Sequence, residues 1–392
     1  MLSQKQITVS EEIRNAFPIL SDVTYLNVGT YGLMPEPAYN EFQKMQAEFD
    51  LGGVASRGVV HHKTEETRQK IAKMISAEPD EIAFTRNATD GINLTLAGID
   101  WQPGDEVITT SEEHEAMIHP LMYLQNQKGI LVKLVEVDAD PSNMLSRLEQ
   151  VYNQKTRLVA MSLVTCETGI RLPGKEISSW AASHDILSLL DGAQASGVFP
   201  VNLTEIGCDF YASNGHKWLS GPKGTGFFYG KKNKLNDLSL AHVGAGSLEK
   251  VEIATGTAIP WQNANRFEYG TRAWALTAGL CSSLDWFEKL GWDSVYAHIA
   301  DLASYLKEQI ISDSNLQLIT PIEPNYSSGL TSFIIKDALA GEISTKLREK
   351  YNIYVRVIPH YNAIRISTAH FNSAEDIDRL IASILEILNT EP

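Results

Sequence analysis

Between about residue 60 and residue 230, short apolar runs alternate with longer stretches in which apolar residues recur every three to four positions. The short runs are typical of buried strands, and the longer stretches are typical of helices that cover a sheet. This alternation predicts βαβ units and a mostly parallel sheet. The predicted strands are 81–85, 105–110, 130–137, 157–164 and 186–191, and the predicted helices are 64–75, 88–99, 114–127, 144–153 and 175–184.

The pattern changes beyond residue 275, where strands and helices predict a second, smaller α+β unit. One long helical pattern leads into this unit, and a final helix completes it. The predicted helices are 278–311, a helix near 343–350 and one that begins at Ala374, and the predicted strands are 330–337, 353–357 and 363–367.

We therefore expect an α/β fold in which a large domain, 21–275, carries a mostly parallel mixed sheet sandwiched by helices. A smaller α+β domain, 276–392, follows it, and an N-terminal segment, 1–20, packs with that small domain. A chain of 392 residues is longer than one core usually supports, which also favours two packed regions. The stretch 232–265 is irregular, and we expect it to form loops over the functional site.

Composition limits the classes of function. The chain has 33 Lys and Arg against 48 Asp and Glu, and its net charge of −15 opposes binding to nucleic acid. No run of eighteen apolar residues and no apolar leader are present, so we expect neither a membrane span nor a secretory signal. Three cysteines in no paired spacing predict neither a disulfide framework nor a metal site, and fit a reducing, cytoplasmic compartment.

A lysine surrounded by turn residues is the first candidate for chemistry. Lys217 lies in "SNGHKWLSGPKGTG" (213–226), a setting that an ordinary surface lysine does not need. Asp191 ends an apolar strand in "LLDGAQASG" (189–197), where it is either a helix N-cap or an ionised carboxylate beside a bound cation. Gln194 follows three residues later and could face the same ligand.

Two further motifs follow predicted strands. "TRNATDGIN" (85–93) opens a helix with Ala88 and Thr89, and is either an ordinary capped helix or an anion site. His114 in "SEEHEAM" (111–117) is a flat ring beyond another strand, where a lone histidine is more often structural. Together the four motifs offer an anion site, a ring, a carboxylate and a lysine. This set matches pyridoxal phosphate, which has a phosphate, an aromatic ring with a basic nitrogen, and an aldehyde.

In their order along the chain, these motifs resemble the class V aminotransferase family of fold-type I pyridoxal-phosphate enzymes. The family includes cysteine desulfurases, cystine C–S lyases and isopenicillin-N-epimerase-like proteins, and the resemblance covers nearly the whole chain. The motifs that carry it are "TYLNVGTYGLMP" (24–35), "TRNATDGIN", "EEH" (112–114), "TGIRLPGKEI" (168–177), "DGAQASG", "GHKW" (215–218), "RFEYGTRAW" (266–274) and "IYVR…IRIS" (353–367).

The resemblance implies a role for each motif around the cofactor. Lys217 would form the Schiff base with the aldehyde and later act as the base and acid at Cα. Asp191 would pair with the ring nitrogen, Gln194 would bind the phenolic oxygen, and His114 would stack on the ring. The implied phosphate ligands are Ala88, Thr89 and His216, together with Asn214, which stands where relatives often have Ser or Thr.

The resemblance also implies a homodimer, because the segment that matches Gly270 and Thr271 reaches the phosphate of the neighbouring subunit in this family. Arg365 matches the arginine that binds the substrate α-carboxylate in a bidentate pair. Arg356 matches a second arginine of the cystine-lyase-like members, or else is a solvent-exposed strand arginine. The expected substrate is thus a small amino acid.

The absence of a cysteine near the C-terminal arginines limits which reaction of the family we expect. Desulfurases of this family place a nucleophilic cysteine shortly before the carboxylate-binding arginine, but 355–367 contains no cysteine and none follows Cys281. Cys166 is most simply a small buried residue. We therefore expect Cα deprotonation followed by loss of a β-substituent, the cystine C–S lyase reaction. The alternatives are an epimerase-like racemase or an aminotransferase, a desulfurase-like enzyme, and a non-catalytic cofactor-binding regulator.

We expect the loops at 50–60 and 240–262 to line the substrate pocket. Their residues form no pattern that identifies the side chain of the substrate.

Overall fold

The computed structural model describes residues 9–390, and its helices and strands alternate as predicted. The helices are α1 Glu11–Asn15, α2 Glu36–Gly52, α3 Arg57–Ile75, α4 Ala88–Gly98, α5 Glu115–Lys128, α6 Met144–Val151, α7 Gly174–Ser183, α8 Leu203–Ile206, α9 Trp274–Leu290, α10 Trp292–Ser312, α11 Ala340–Tyr351 and α12 Ala374–Thr390. The strands are β1 Thr24–Tyr25, β2 Ile82–Thr85, β3 Glu106–Thr110, β4 Leu131–Val135, β5 Thr156–Ser162, β6 Leu187–Asp191, β7 Phe210–Asn214, β8 Gly226–Gly230, β9 Leu248–Glu252, β10 Thr257–Pro260, β11 Leu316–Leu318, β12 Leu330–Ile335, β13 Ile353–Tyr354, β14 Arg356–Ile358 and β15 Ala363–Ser367.

The main sheet has seven strands in the order β2-β8-β7-β6-β5-β3-β4. Only β8 pairs antiparallel with its neighbours, so the sheet is mixed and mostly parallel, as predicted. Helices α4 and α5 cover one face through an apolar cluster, and α6 and α7 cover part of the other face through a second cluster. Burial on both faces explains why the central strands are almost continuously apolar.

Strands β7 and β8 have no counterpart among the predicted strands. Each has only five residues, and they are joined by the Gly- and Pro-containing stretch that carries Lys217. Small and polar residues in β7, such as Ser213 and Asn214, weaken the apolar pattern from which a strand is predicted. Tertiary pairing with β6 and β2, rather than local pattern, determines these two strands.

The prediction of one long helix over 278–311 is wrong in detail, because the chain forms two helices, α9 and α10. They are separated by Gly291, whose φ of 82° lies in the left-handed region that favours glycine. Helix α9 packs along α2 and α3. The boundary between the large and small domains near residue 275 remains a prediction.

The C-terminal part forms a four-stranded antiparallel sheet in the order β11-β12-β15-β14. Helices α10, α11 and α12 pack on this sheet through a separate apolar cluster. At the N-terminus, Arg14 pairs with the carboxylate of Asp376 at 3.1 Å, and β1 pairs with β13. The packing of the predicted segment 1–20 with a small domain remains a prediction, and residues 1–8 of that segment lie outside the described residues.

The stretch 232–265, expected to be irregular, contains an antiparallel hairpin of β9 and β10 and a 3-10 helix at Lys232–Asp237. Most side chains of the hairpin are exposed, including Ile253 at 93%. A strand exposed on both sides has no alternation of apolar and polar residues, so the sequence pattern does not indicate it.

A buried ion pair attaches the segment that contains Gly270 and Thr271 to α3. Arg68 makes a bidentate pair with Glu268, at 2.9 and 3.0 Å, and both side chains are almost fully buried. Glu268 also accepts the backbone N–H of Phe84 at 2.6 Å. Burial alone would lower the pKa of Arg68, but Glu268 and Glu65 raise it above its ordinary value.

We predict that Arg68→Met destabilises the protein by about 3 kcal/mol, because it leaves the Glu268 carboxylate buried without its partner. The melting temperature of the holoenzyme measures this loss. Lys175→Ala is the control, because its ion pair with Glu205 is exposed and should leave the melting temperature unchanged. Equal melting temperatures for the two variants would contradict the role of the buried pair.

Candidate active site

A cavity of about 420 Å³ lies at the carboxyl ends of the main-sheet strands. It is next to the four-stranded C-terminal sheet β11-β12-β15-β14, called the small sheet below. The last residues of β5, β6 and β7 line it, as do the segments that follow β2 and β3, and residues of β14 and β15 complete it. Carboxyl ends of parallel strands are the usual place for ligands in α/β sheets. Of the predicted site residues, those that line the cavity are Ala88, Thr89, His114, Asp191, Gln194, Asn214, His216, Lys217, Arg356 and Arg365.

Gly270 and Thr271 do not line this cavity. Thr271 lines a neighbouring cavity with Arg272 and Trp274. The stretches 50–60 and 232–265 also contribute no lining residue, so the prediction that they cover or line the site is wrong for the cavity formed by this chain. In place of a loop, residues 50–60 contain the end of α2, the 3-10 helix Gly53–Ser56 and the start of α3.

Backbone hydrogen bonds fix the turn that carries Lys217. Gly221 donates to the carbonyl of Gly215 at 2.8 Å, and Gly32 donates to the carbonyl of His216 at 2.9 Å. A Cβ atom at Gly32 would lie 2.0 Å from the Lys217 carbonyl oxygen, so only glycine fits this close approach. The "LNVGTYG" motif therefore holds the lysine turn from the other side of the cavity.

The charge of Lys217 depends on its surroundings. Burial lowers the pKa of its amine to about 8, although the nearby Asp191 carboxylate raises it, and Arg365 lowers it further. A substantial part of the amine is therefore neutral near physiological pH, and the neutral amine is the nucleophilic form.

Asp191 is a buried carboxylate at the end of β6. Its Oδ1 accepts the backbone N–H of Ala193 at 2.8 Å, and burial raises its pKa against the effect of that N–H and of Lys217. The next helix begins only at Leu203, so the alternative that Asp191 is a helix N-cap is wrong.

Gln194 is held with a defined orientation by Trp218. The indole Nε1–H donates to Oε1 of Gln194 at 2.8 Å, and Nε2 of Gln194 donates to the carbonyl of Gly29 at 2.9 Å. Because an indole can only donate, the oxygen must face Trp218, and one N–H of the amide remains for a ligand. Sequence reasoning did not assign Trp218 a role, although it belongs to "GHKW".

His114 caps helix α5 with its own ring. Its Nδ1 accepts the backbone N–H of Ala116 at 3.0 Å, so the proton of the neutral ring lies on Nε2. Burial, followed by the charge of Lys217, lowers the pKa of His114 and favours this neutral ring. An uncharged flat ring in the cavity wall suits stacking on an aromatic ligand.

The start of α4, where a phosphate site is predicted, lines the cavity, but one of the predicted donors is already used. Oδ1 of Asn214 accepts the backbone N–H of Ala88 at 2.9 Å, so this N–H is already used within the protein. The amide N–H₂ of Asn214 and the hydroxyl and N–H of Thr89 remain as candidate phosphate donors. Nδ1 of His216 donates to the carbonyl of Thr225 at 3.1 Å, so its Nε2 can donate to a phosphate only in the charged ring.

Arg365 is a buried cation that lacks a carboxylate partner. Its Nη1 donates to the carbonyl of Cys166 and its Nη2 to Oγ1 of Thr30 at 3.2 Å. Within residues 9–390, its buried Nε–H has no hydrogen-bond partner and no carboxylate lies within 4 Å. Burial lowers the pKa of this guanidinium to about 10, and such a group calls for an anionic ligand.

Arg356 lies directly opposite Arg365 across β14 and β15. Its side chain is exposed, as one of the two alternatives states, and it also lines the cavity. A role of Arg356 toward the substrate remains a prediction. Like charges opposite each other destabilise a strand pair, and a bound carboxylate would offset that repulsion.

Sequence reasoning missed Glu113, which also lines the cavity. Its carboxylate accepts the backbone N–H of Ser162 at 2.9 Å and the Ser162 hydroxyl at 2.6 Å. Burial raises its pKa to about 7. Strands β3 and β5 pair only as far as Ile108 and Val159, and Glu113 binds the Ser162 N–H beyond that point. A contact between separate strands leaves no signal in the local sequence.

Cys166 and Glu167 lie in the cavity wall as well. Cys166 is therefore not simply a buried core residue, but burial raises the pKa of its thiol to about 12, which opposes formation of a thiolate. Its backbone carbonyl, rather than its sulfur, binds Arg365.

Comparison with known proteins identifies the family. The model of the aminotransferase class-V family matches residues 38–380. The chain belongs to this family. A probable cysteine desulfurase of Halalkalibacterium halodurans is 29% identical over 95% of this chain and 96% of its own length.

Two solved structures of C-DES share the fold of this family member. A lysine-to-alanine mutant of C-DES, with glycine covalently linked to its PLP cofactor, has a TM-score of 0.87 and 29% identity over 95% of this chain and 98% of that chain. A complex of the cystine C–S lyase C-DES with its reaction product cysteine persulfide has a TM-score of 0.86 and 28% identity over 94% of this chain and 98% of that chain.

The cofactor of this member of the class-V family is pyridoxal phosphate, and the residues that line the cavity fit it. An amine of lowered pKa, a buried carboxylate, an oriented amide and a neutral histidine ring surround one space. Arg365, whose buried Nε–H has no partner in the described residues, lies beside them. Within residues 9–390, no helix is long and apolar enough to cross a membrane.

We predict that pyridoxal phosphate attaches to the apoenzyme faster as the pH rises through about 8, because the neutral fraction of Lys217 increases through its pKa. Stopped-flow absorbance, recorded from about two pH units below this pKa to about two units above it, measures the midpoint. Asp191→Asn should move the midpoint to lower pH, because the Asp191 charge raises the pKa of Lys217.

The control is the reaction of pyridoxal phosphate with a free alkylamine under the same conditions. Borohydride reduction and peptide mass spectrometry locate the attached lysine. An adduct on another lysine, or a midpoint equal to that of the free amine, would refute the assignment of Lys217.

Proposed function

We propose that this enzyme is a carbon–sulfur lyase that removes the Cα proton of a cystine-type amino acid and eliminates its β-sulfur substituent. The observation that carries the proposal is one cavity with Lys217, Asp191 and the unpaired Arg365, beside a hairpin without a cysteine. The resemblance to the cystine C–S lyase C-DES supports it. The intact lysine and carboxylate oppose the hypothesis of a non-catalytic regulator.

Each residue has a defined task in this proposal. Pyridoxal phosphate, when bound, supplies an electron-withdrawing ring that stabilises the negative charge left at Cα. Lys217 accepts the Cα proton with its neutral amine. The Asp191 carboxylate would pair with the ring nitrogen of the bound cofactor, and Arg365 would bind the substrate carboxylate so that the Cα–H bond points toward Lys217.

The overall reaction balances without an added oxidant or reductant. Cystine and water give pyruvate, ammonia and cysteine persulfide: the Cβ–S bond breaks, the sulfur leaves with its electron pair, and a proton completes the persulfide. Water supplies the keto oxygen of pyruvate. No protein thiol takes part in these steps.

A desulfurase-like reaction is the second candidate, because curated relatives such as the Halalkalibacterium halodurans protein are named cysteine desulfurases. It would require a protein thiol that attacks the substrate sulfur. Cys166 is the cysteine that lines the cavity, and burial opposes its ionisation. The two candidates differ in product, since a desulfurase yields alanine from cysteine.

We predict that replacing Cys166 by Ser and both Cys208 and Cys281 by Ala leaves pyruvate formation from cystine largely unchanged, because the elimination uses no thiol. Lactate dehydrogenase coupling measures pyruvate, and amino-acid analysis measures alanine. The melting temperature controls for folding, since Cys208 and Cys281 are fully buried. Loss of turnover in Cys166→Ser with normal cofactor binding, or alanine as the product from cysteine, would favour the desulfurase hypothesis.

We also propose that the active unit is a homodimer in which Gly270 and Thr271 complete the phosphate site of the partner subunit. Thr271 lies outside its own chain's active cavity, which supports a role in trans. The β9–β10 hairpin exposes Val251 at 62% and Ile253 at 93%, and exposed apolar side chains of this kind favour association.

Mixed dimers test this arrangement. Lys217→Ala removes the reactive amine, and Thr271→Glu places a charge that repels the phosphate, so each variant alone should be inactive. Co-expression should restore about a quarter of the active sites, because half of randomly paired dimers then contain one fully intact site. If Thr271 acts within its own chain, no intact site forms and activity stays at the background of the single variants.

A further inference from the structure

The hairpin of β14 and β15 provides both candidate substrate arginines. Arg356 and Ile358 on β14 and Arg365 on β15 line the cavity. Strand β14 is the edge of the small sheet and pairs only with β15, so the sheet holds Arg356 from one side. Bonds from Arg365 to the Cys166 carbonyl and from Ser332 of β12 to the Glu167 carbonyl already attach the small sheet to the loop after β5. A contact at the hairpin tip therefore acts mainly on the edge strand β14 and its Arg356.

The hairpin tip makes one hydrogen bond across the active-site cleft. Tyr361, in the turn Pro359–Tyr361, donates its hydroxyl to Oε1 of Glu112 at 2.7 Å. Glu112 is buried and precedes His114 by two residues, in the segment that follows strand β3. One bond thus joins the turn between the two arginine-bearing strands to the segment that carries His114.

The other oxygen of Glu112 is held as well. Oε2 accepts the hydroxyl of Thr168, which lies in the same loop as Cys166, whose carbonyl binds Arg365. The Thr168 hydroxyl also lies 2.7 Å from that of Thr165. Glu112 is therefore a fixed acceptor, and its geometry does not depend on Tyr361.

The far side of the hairpin tip is anchored to the small domain. Asn362 has a φ of 47°, accepts the N–H of Ala340 at 2.9 Å and donates to the carbonyl of Ala338 at 3.0 Å. These bonds fix the tip within its own domain, and the bond from Tyr361 to Glu112 connects it to the main sheet.

We propose that Tyr361 and Glu112 form a positioning pair that holds the Arg356–Arg365 hairpin against the main sheet and thereby sets affinity for the substrate carboxylate. The pair does not touch the reacting atoms. The inference rests on the proposed role of the arginines, and it assigns Tyr361 a task in the hairpin where the desulfurases of this family carry their cysteine.

Tyr361→Phe removes one hydroxyl and tests the pair in the holoenzyme. Glycine and ethylamine are both titrated against the absorbance of the bound cofactor, since both carry an amine but only glycine has a carboxylate. The dissociation constant of glycine should rise about tenfold, because the loss of a hydrogen bond to a charged group typically changes an equilibrium constant by about this factor. That of ethylamine should stay within about twofold, because the amine site is unchanged.

Two further variants make the result specific. Tyr354→Phe removes a hydroxyl that has no hydrogen-bond partner in the described part of the chain, and should leave both ligands unaffected. Glu112→Gln keeps an acceptor oxygen for Tyr361 and should weaken glycine less than Tyr361→Phe does. Adding Glu112→Gln to Tyr361→Phe should then cost less than the sum of the single effects, because the two residues share one bond.

The outcomes separate the inference from the proposed function. If wild-type enzyme binds glycine and ethylamine equally, the arginines do not bind the carboxylate and the proposed function fails. If wild type prefers glycine but Tyr361→Phe weakens neither ligand, or weakens both equally, the positioning pair is refuted. A loss confined to glycine supports it.

Discussion

Burial of opposite charges in one cavity is the constraint on which the rest of the site depends. Asp191 is the last residue of β6, and Lys217 follows the end of the neighbouring strand β7. Each of the two groups changes the pKa of the other. Burial pushes both groups toward their neutral forms, while their mutual attraction favours the charged forms. A lysine balanced in this way is available both as a nucleophile and as a base, which an exposed lysine is not.

Maintaining that balance requires rigid surroundings, and the structure provides them with backbone contacts. The lysine turn is held by Gly32, and Gln194 is oriented by Trp218. Glu113 occupies the place where β3 and β5 no longer pair. Side chains with few alternative arrangements keep the reactive groups in position without a cost at the moment of reaction.

The four-stranded C-terminal sheet completes the cavity. It contributes a buried cation, Arg365, that has no carboxylate within 4 Å in residues 9–390, and Glu167 offsets only part of its desolvation. Leaving a charged group buried without a direct partner is costly, and a bound anion would offset that cost. This supports the proposed role of Arg365 toward the substrate carboxylate.

The sequence by itself determined the βαβ alternation, the family and most of the strand-end residues, because apolar periodicity and ordered motifs are local properties. It identified Lys217, Asp191 and Arg365 as members of one site. Only the tertiary structure decided what the neighbours do, since contacts between distant segments leave no local pattern. Glu112 and Tyr361 lie 249 positions apart, and Asn214 reaches Ala88 across 126 positions. The same reason applies to strand β8 and to the β9–β10 hairpin, which form by pairing rather than by their own periodicity.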